Sequence, residues 1–96
     1  MAEQNRLMSV WKFPLKVEAR QQIPLPQRAG ILHLDVQNGQ LCIWALVSPS
    51  AQPVDRTFHV YGTGHEIDGN ADIEYVGSAQ QGAFVWHVFV EAPAHE

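Results

Sequence analysis

The dipeptide Asn38-Gly39 stands between two apolar runs, Ile31–Val36 and Leu41–Val47. A two-residue hairpin loop of type I′ needs positive φ at both positions, and Asn and Gly tolerate that best. With this loop, Gln37 faces Gln40, Val36 faces Leu41, Leu34 faces Ile43 and Leu32 faces Ala45. Side chains alternate along a strand, so the last three pairs share one wholly apolar face and are expected in the core. The other face pairs Asp35 with Cys42, His33 with Trp44 and Ile31 with Leu46, and is mixed. A slip of one residue would invert both faces, so burial protects the register.

The remaining segments add strands to this hairpin. Ser9–Phe13 alternates, and Pro14 ends it or places it on an edge. Leu15 to Ile23 alternates weakly, as a short strand after a bend would. Pro24-Leu25-Pro26 reads as an extended connector. Ser48 to Pro53 has loop composition. Val54 to Tyr61 is the next strand, with Phe58 and Val60 on one face and Thr57, His59 and Tyr61 on the other. Gly62-Thr63-Gly64-His65 breaks it, and a loop follows with Asp68-Gly69-Asn70 as its turn.

Asp72 to Gln80 and Ala83 to Val90 read as a second hairpin around Gln81-Gly82. This register places Gly77 opposite Trp86, Tyr75 opposite Val88, Ile73 opposite Val90 and Val76 opposite His87. An aromatic facing a strand glycine covers the bare backbone. No window holds a helical period. The expected fold is therefore all-β: a small sandwich or partly open barrel of antiparallel hairpins, with about 6–7 strands. Residues 1–7 read as a disordered tail, 8–91 as a single β domain and 92–96 as a C-terminal tail; Met8 is a candidate native start.

Size and charge narrow the function. A chain of 96 residues buries only roughly 60–65% of its unfolded surface, which makes a homo-oligomer an attractive expectation. The net charge is -4 with six basic residues, which argues against general nucleic-acid binding. The single cysteine excludes an internal disulfide and a multi-cysteine zinc site. No apolar run is long enough for a membrane-spanning helix, and residues 1–7 have no signal-peptide core.

Few residues suggest chemistry. His65 and Glu66, with Asp68 and Asp72, offer at most a loose metal site in one loop, without the spacing of a known motif. No metal site and no cofactor are expected. Cys42 lies mid-strand with no base near it in sequence, the serines lack an elbow motif, and no carboxylate pair stands out. Gly62-Thr63-Gly64 reads as a turn needing free φ, or as a small nest of N–H groups for an anion, with Arg56 or Arg28 to pair with phosphate or carboxylate. Trp86 goes with Phe84 and Val88 on an apolar face expected in the core. Trp44 and His33 mark either a partner surface or the second side of a closed sandwich. His33 and His87 read as hydrogen-bonded sheet histidines. The candidate ligand-binding residues are thus Arg56, His59, Tyr61, Thr63, Gly64, His65, Trp44 and His33.

The segments Val10-Trp11-Lys12-Phe13-Pro14-Leu15, Val36-Gln37-Asn38-Gly39, Trp44-Ala45-Leu46-Val47, Tyr61-Gly62-Thr63-Gly64-His65 and Val85-Trp86-His87-Val88-Phe89 carry a resemblance. The chain resembles a group of small uncharacterised proteins encoded by bacteriophages and prophages, over about Val10 to Glu91. The resemblance implies an accessory protein in the bacterial host cytoplasm and names no catalytic residue. The expected function is a non-enzymatic binding module, possible as counter-defence by binding a host protein or sequestering an anionic, nucleotide-like small molecule. A virion structural or assembly protein and a small metal-dependent enzyme are the alternatives.

Overall fold

The computed structural model describes residues 7–93. Residues 1–6 of the expected N-terminal tail and 94–96 of the C-terminal tail lie outside the described residues. Seven strands follow in order: β1 (Ser9–Pro14), β2 (Arg20–Pro26), β3 (Gly30–Gln37), β4 (Gln40–Val47), β5 (Pro53–Gly62), β6 (Ile73–Gln81) and β7 (Phe84–Glu91). They form two antiparallel sheets, one ordered β1-β4-β3 and the other β2-β5-β7-β6. The sheets do not close into a barrel. One core lies between them, drawing Leu34, Leu41, Ile43, Ala45 and Val47 from the first and Leu25, Phe58, Val60, Ala79, Val88 and Val90 from the second.

The central hairpin forms on Asn38-Gly39, with φ of 52° and 78°, as a type I′ turn requires. The pairs Gln37–Gln40, Val36–Leu41, Asp35–Cys42, Leu34–Ile43 and His33–Trp44 all occur. Beyond them the expectation fails. A bulge between Ile31 and His33 makes Ile31, not Leu32, the partner of Ala45, and pairs Gly30 with Leu46. Leu32, expected in the core, is 56% exposed, and Ile31 packs against the core instead. A bulge adds one residue to one strand and so exchanges its faces.

The second hairpin turns one residue later than expected. Its loop is Gly82-Ala83, so Gln81 pairs with Phe84, Ala79 with Trp86, Ser78 with His87 and Gly77 with Val88. Gly82 has φ of 59° and Ala83 is not in the positive region. That is the type II′ pattern, with glycine first. A second bulge, between Tyr75 and Gly77, pairs Tyr75 with Phe89 and Ile73 with Glu91. Gly77 is therefore not covered by Trp86. A Cβ built there would lie 3.4 Å from the Leu34 Cβ, because β3 lies against β6 where the sheets meet.

Two further differences concern the bend and the connector. Leu15 is buried but in no strand, its N–H donating to the Leu41 carbonyl at 2.8 Å. The Gln21 side chain accepts from the Lys16 N–H and donates to the Lys16 carbonyl, which closes the bend before β2. Pro24 and Pro26 belong to β2 rather than to a connector. They fit because β2 is an edge strand, where a missing N–H need not break a ladder.

The two hairpin tips are tied together. Gln81 accepts from the Trp86 indole N–H at 2.9 Å and donates to the Gly39 carbonyl at 2.9 Å.

Candidate functional site

β5 ends at Gly62, opposite Trp86 of β7. The chain then reverses through Thr63 and Gly64, and the His65 N–H donates back to the Gly62 carbonyl at 3.1 Å. The imidazole folds over the turn, its Nδ1 accepting from the Gly62 N–H at 3.0 Å. This fixes the tautomer: Nδ1 carries the lone pair and Nε2 the hydrogen. The two glycines serve different ends. A Cβ on Gly62 would sit 2.9 Å from the His65 Cε1, and Gly64 has φ of 89°.

Thr63 extends this turn into a chain of hydrogen bonds that crosses β7 and β6. Its hydroxyl meets the His87 Nε2 at 2.7 Å. The His87 Nδ1 meets the Ser78 hydroxyl at 2.6 Å, and Ser78 meets the Tyr75 hydroxyl at 2.7 Å. A neutral imidazole has one N–H, so one of its two hydroxyl partners donates and the other accepts. No carboxylate stands in this chain to orient His87 as the base of a nucleophilic triad.

Beside the turn lies an open cleft of about 570 Å³, lined by Gly62, Thr63, His65, Phe84, Val85 and Trp86 among others. Its floor is aromatic. The Phe84 and Trp86 rings stack with centroids 5.5 Å apart and planes 20° apart. Phe84 is 63% exposed, so one ring face is open to a ligand. The cleft exists because β5 stops at Gly62 while β7 continues back to Phe84. Among the described residues the N–H groups of Thr63 and Gly64 have no protein acceptor. One end of the cleft is thus flat and apolar, and the other is the turn, of which Gly62, Thr63 and His65 line it.

The residues expected to act together divide into four groups. Thr63, Gly64 and His65 line or form the turn at the cleft. Tyr61 and His59 lie on the outward face of the second sheet, with planes 5° apart and centroids 6.1 Å apart. There His59 Nε2 is 2.8 Å from a Glu91 oxygen, and the Arg20 Nε is 3.8 Å from it. Tyr61 also meets Phe89 edge-on and pairs with His87 in register, so this face leads to the Thr63–His87 hydrogen bond. Arg56 does not join them. It shares the inward face of β5 with Phe58, six residues before Gly62, roughly 20 Å along a strand. Trp44 and His33 are on the other sheet, with ring centroids 5.6 Å apart and His33 3.6 Å from Asp35. Both belong to its outward face, with no second sheet over them.

His87, Ser78, Tyr75, Phe84 and Trp86 were not among the expected ligand residues. Their signal was hidden in the register, since the Gln81-Gly82 turn places Val76 rather than Ser78 opposite His87. Among the described residues no three His, Cys, Asp or Glu side chains converge to hold a metal ion. The loose grouping of His65, Glu66, Asp68 and Asp72 is not drawn to one point. Nor is any helix long and apolar enough to cross a membrane.

The chain belongs to an uncharacterised family: the model of a domain of unknown function, DUF7352, matches residues 8–96. No curated protein and no solved structure matches it.

Proposed function

We propose that this chain is a non-enzymatic binding module, with the cleft beside the Gly62–His65 turn as its ligand site. The observation that carries this reading is an open aromatic stack, Phe84 on Trp86, in one cleft with the turn whose Thr63 and Gly64 N–H groups are unpaired among the described residues. A planar ring stacks on Phe84 while its anionic group meets those N–H groups and the His65 Nε2. That combination suits a nucleotide-like small molecule. Stacking of a base on an aromatic contributes about 1–3 kcal/mol, and backbone N–H groups in a turn with a positive-φ glycine suit an anion.

The motif resemblance supplies the setting of the proposal: a phage or prophage accessory protein in the host cytoplasm, countering defence by sequestering such a molecule. Self-association belongs to the same reading. β1 is an edge strand, and near it Val10 is 53% and Trp11 39% exposed. An open apolar edge also favours the second reading, a virion assembly protein, in which β1 pairs with neighbouring copies.

The test is tryptophan fluorescence of the full chain titrated with nucleoside monophosphates. Quenching that saturates, and a Kd raised about 5-fold or more by Phe84→Ala at the 1–3 kcal/mol scale of stacking, is the expected result. Absence of any response up to millimolar nucleotide, with the protein found in purified particles, would move the weight to the virion reading.

A further inference from the structure

A second cavity lies at the other end of β5, and two irregularities of the sheets create it. β3 and β6, the strands along which the sheets meet, each carry a bulge. In β3 the bulge turns Ile31 inward in place of Leu32; in β6 it turns Val76 inward in place of Tyr75. Bulges bend strands locally and recur beside binding sites. Here they leave a space of about 200 Å³, lined by Ala29, Ile31, Arg56, Glu74, Val76 and Val90 among others.

Arg56 is out of place in an apolar sandwich. It points inward, on the face of β5 that carries Phe58 and Val60. Its Nε is buried and has no hydrogen-bond partner among the described residues. The ion pairs among the described residues join Arg20 to Glu91, His33 to Asp35 and His59 to Glu91, and Arg56 is in none of them. Arg56 as a whole is half-buried, but a buried donor left without a partner is costly, and the cavity beside it is where a ligand acceptor would meet this Nε. Glu74 lines the same cavity from β6, in register with Val90, and is not within ion-pair distance of Arg56. The space therefore presents a cation on one wall, an anion on another, and Ala29, Ile31, Val76 and Val90 between them.

We infer that the Arg56–Glu74 cavity between the two bulged strands binds a small zwitterion, an α-amino acid with a short aliphatic side chain. The guanidinium fork accepts the carboxylate in a paired, charge-assisted geometry. Glu74 takes the ammonium group. Ile31 and Val76 cover the side chain. This site is independent of the cleft at Gly62–His65, and either stands if the other fails.

Calorimetric titration of the full chain with L-valine, isobutyrate and isobutylamine tests the assignment. L-valine is expected to bind saturably, isobutyrate at least tenfold more weakly, and isobutylamine not at all. Arg56→Met should abolish valine binding while unfolding at no lower temperature than the parent, since no hydrogen bond or ion pair of Arg56 among the described residues is lost. Glu74→Gln should retain the isobutyrate affinity and lose the preference for valine over it. No heat with millimolar valine, valine binding that survives Arg56→Met, or equal affinity for valine and isobutyrate would each overturn the inference.

Discussion

The β3–β4 hairpin turns on Asn38-Gly39 with positive φ at both residues, and the β6–β7 hairpin turns on Gly82-Ala83 with positive φ at the glycine alone. Each carries a single bulge in its first strand. Their second strands are used differently. β4 places Leu41, Ile43, Ala45 and Val47 in the core with no exposed surface. β7 buries Val88 and Val90, leaves Phe84 open, and lends His87 to a chain of hydroxyls. The same hairpin motif thus serves burial in one sheet and, under the proposed function, recognition in the other. The difference lies in where the strand ends relative to its neighbour. β4 is flanked on both sides by β1 and β3, whereas β7 outruns β5 by two residues and its first turn of side chains stands uncovered.

This contrast breaks most readily at its core. Ile43→Ala should lower unfolding stability by about 2–5 kcal/mol, the range for a fully buried aliphatic truncation, while Phe84→Ala should cost less than about 1 kcal/mol because most of its ring is already in water. Urea unfolding of both variants measures this, and equal losses would make Phe84 a structural residue. A smaller effect separates the turns. Asn38→Ala should cost about 1–2 kcal/mol, since alanine resists a left-handed backbone, and Ala83→Asn should be nearly neutral because that position is not in the positive-φ region. The midpoints in urea would show it. Smallest is the tie between the tips: Gln81→Ala removes bonds to Trp86 and Gly39 and should cost about 0.5–1.5 kcal/mol, with the tryptophan emission of Trp86 shifting as its indole N–H turns to solvent.

The fold was legible wherever a local rule had a single solution. Asn-Gly admits one common turn, so five pairs of the central hairpin could be written from the sequence. The second hairpin held its glycine next to Gln81 on one side and Ala83 on the other, and nothing local decides between a glycine in the first or the second turn position. The consequence was a shift of two residues, which preserved the faces but changed the partners: Val88, not Trp86, faces Gly77. Both bulges were invisible for a deeper reason. Ile31-Leu32 is apolar at both positions, so hydrophobicity does not say which one turns inward, and Tyr75-Val76 has the same ambiguity. Only the approach of β3 to β6 selects Ile31 and Val76.

The candidate site was half legible. Thr63, Gly64 and His65 are contiguous and could be found as a turn. Their partners come from β6 and β7, more than ten residues away, and appear only when Gly62 is set opposite Trp86 and Tyr61 opposite His87. Arg56 looked close to that turn because sequence distance is short. A strand spreads it over roughly 20 Å, and its alternation points it inward, away from His59 and Tyr61 on the outward face.

The prolines of β2 have a consequence for assembly. Of the four outer strands, β3 and β6 lie against each other, which leaves β1 and β2 at the margins of the molecule. Pro24 and Pro26 strip donors from β2, so that margin refuses an incoming strand. Among the described residues β1 is the other margin, and an edge strand presents a row of unpaired N–H and C=O groups. Under the self-association proposed above, that edge would meet the same edge of a second copy, antiparallel across a two-fold axis, an isologous closure in place of an open filament.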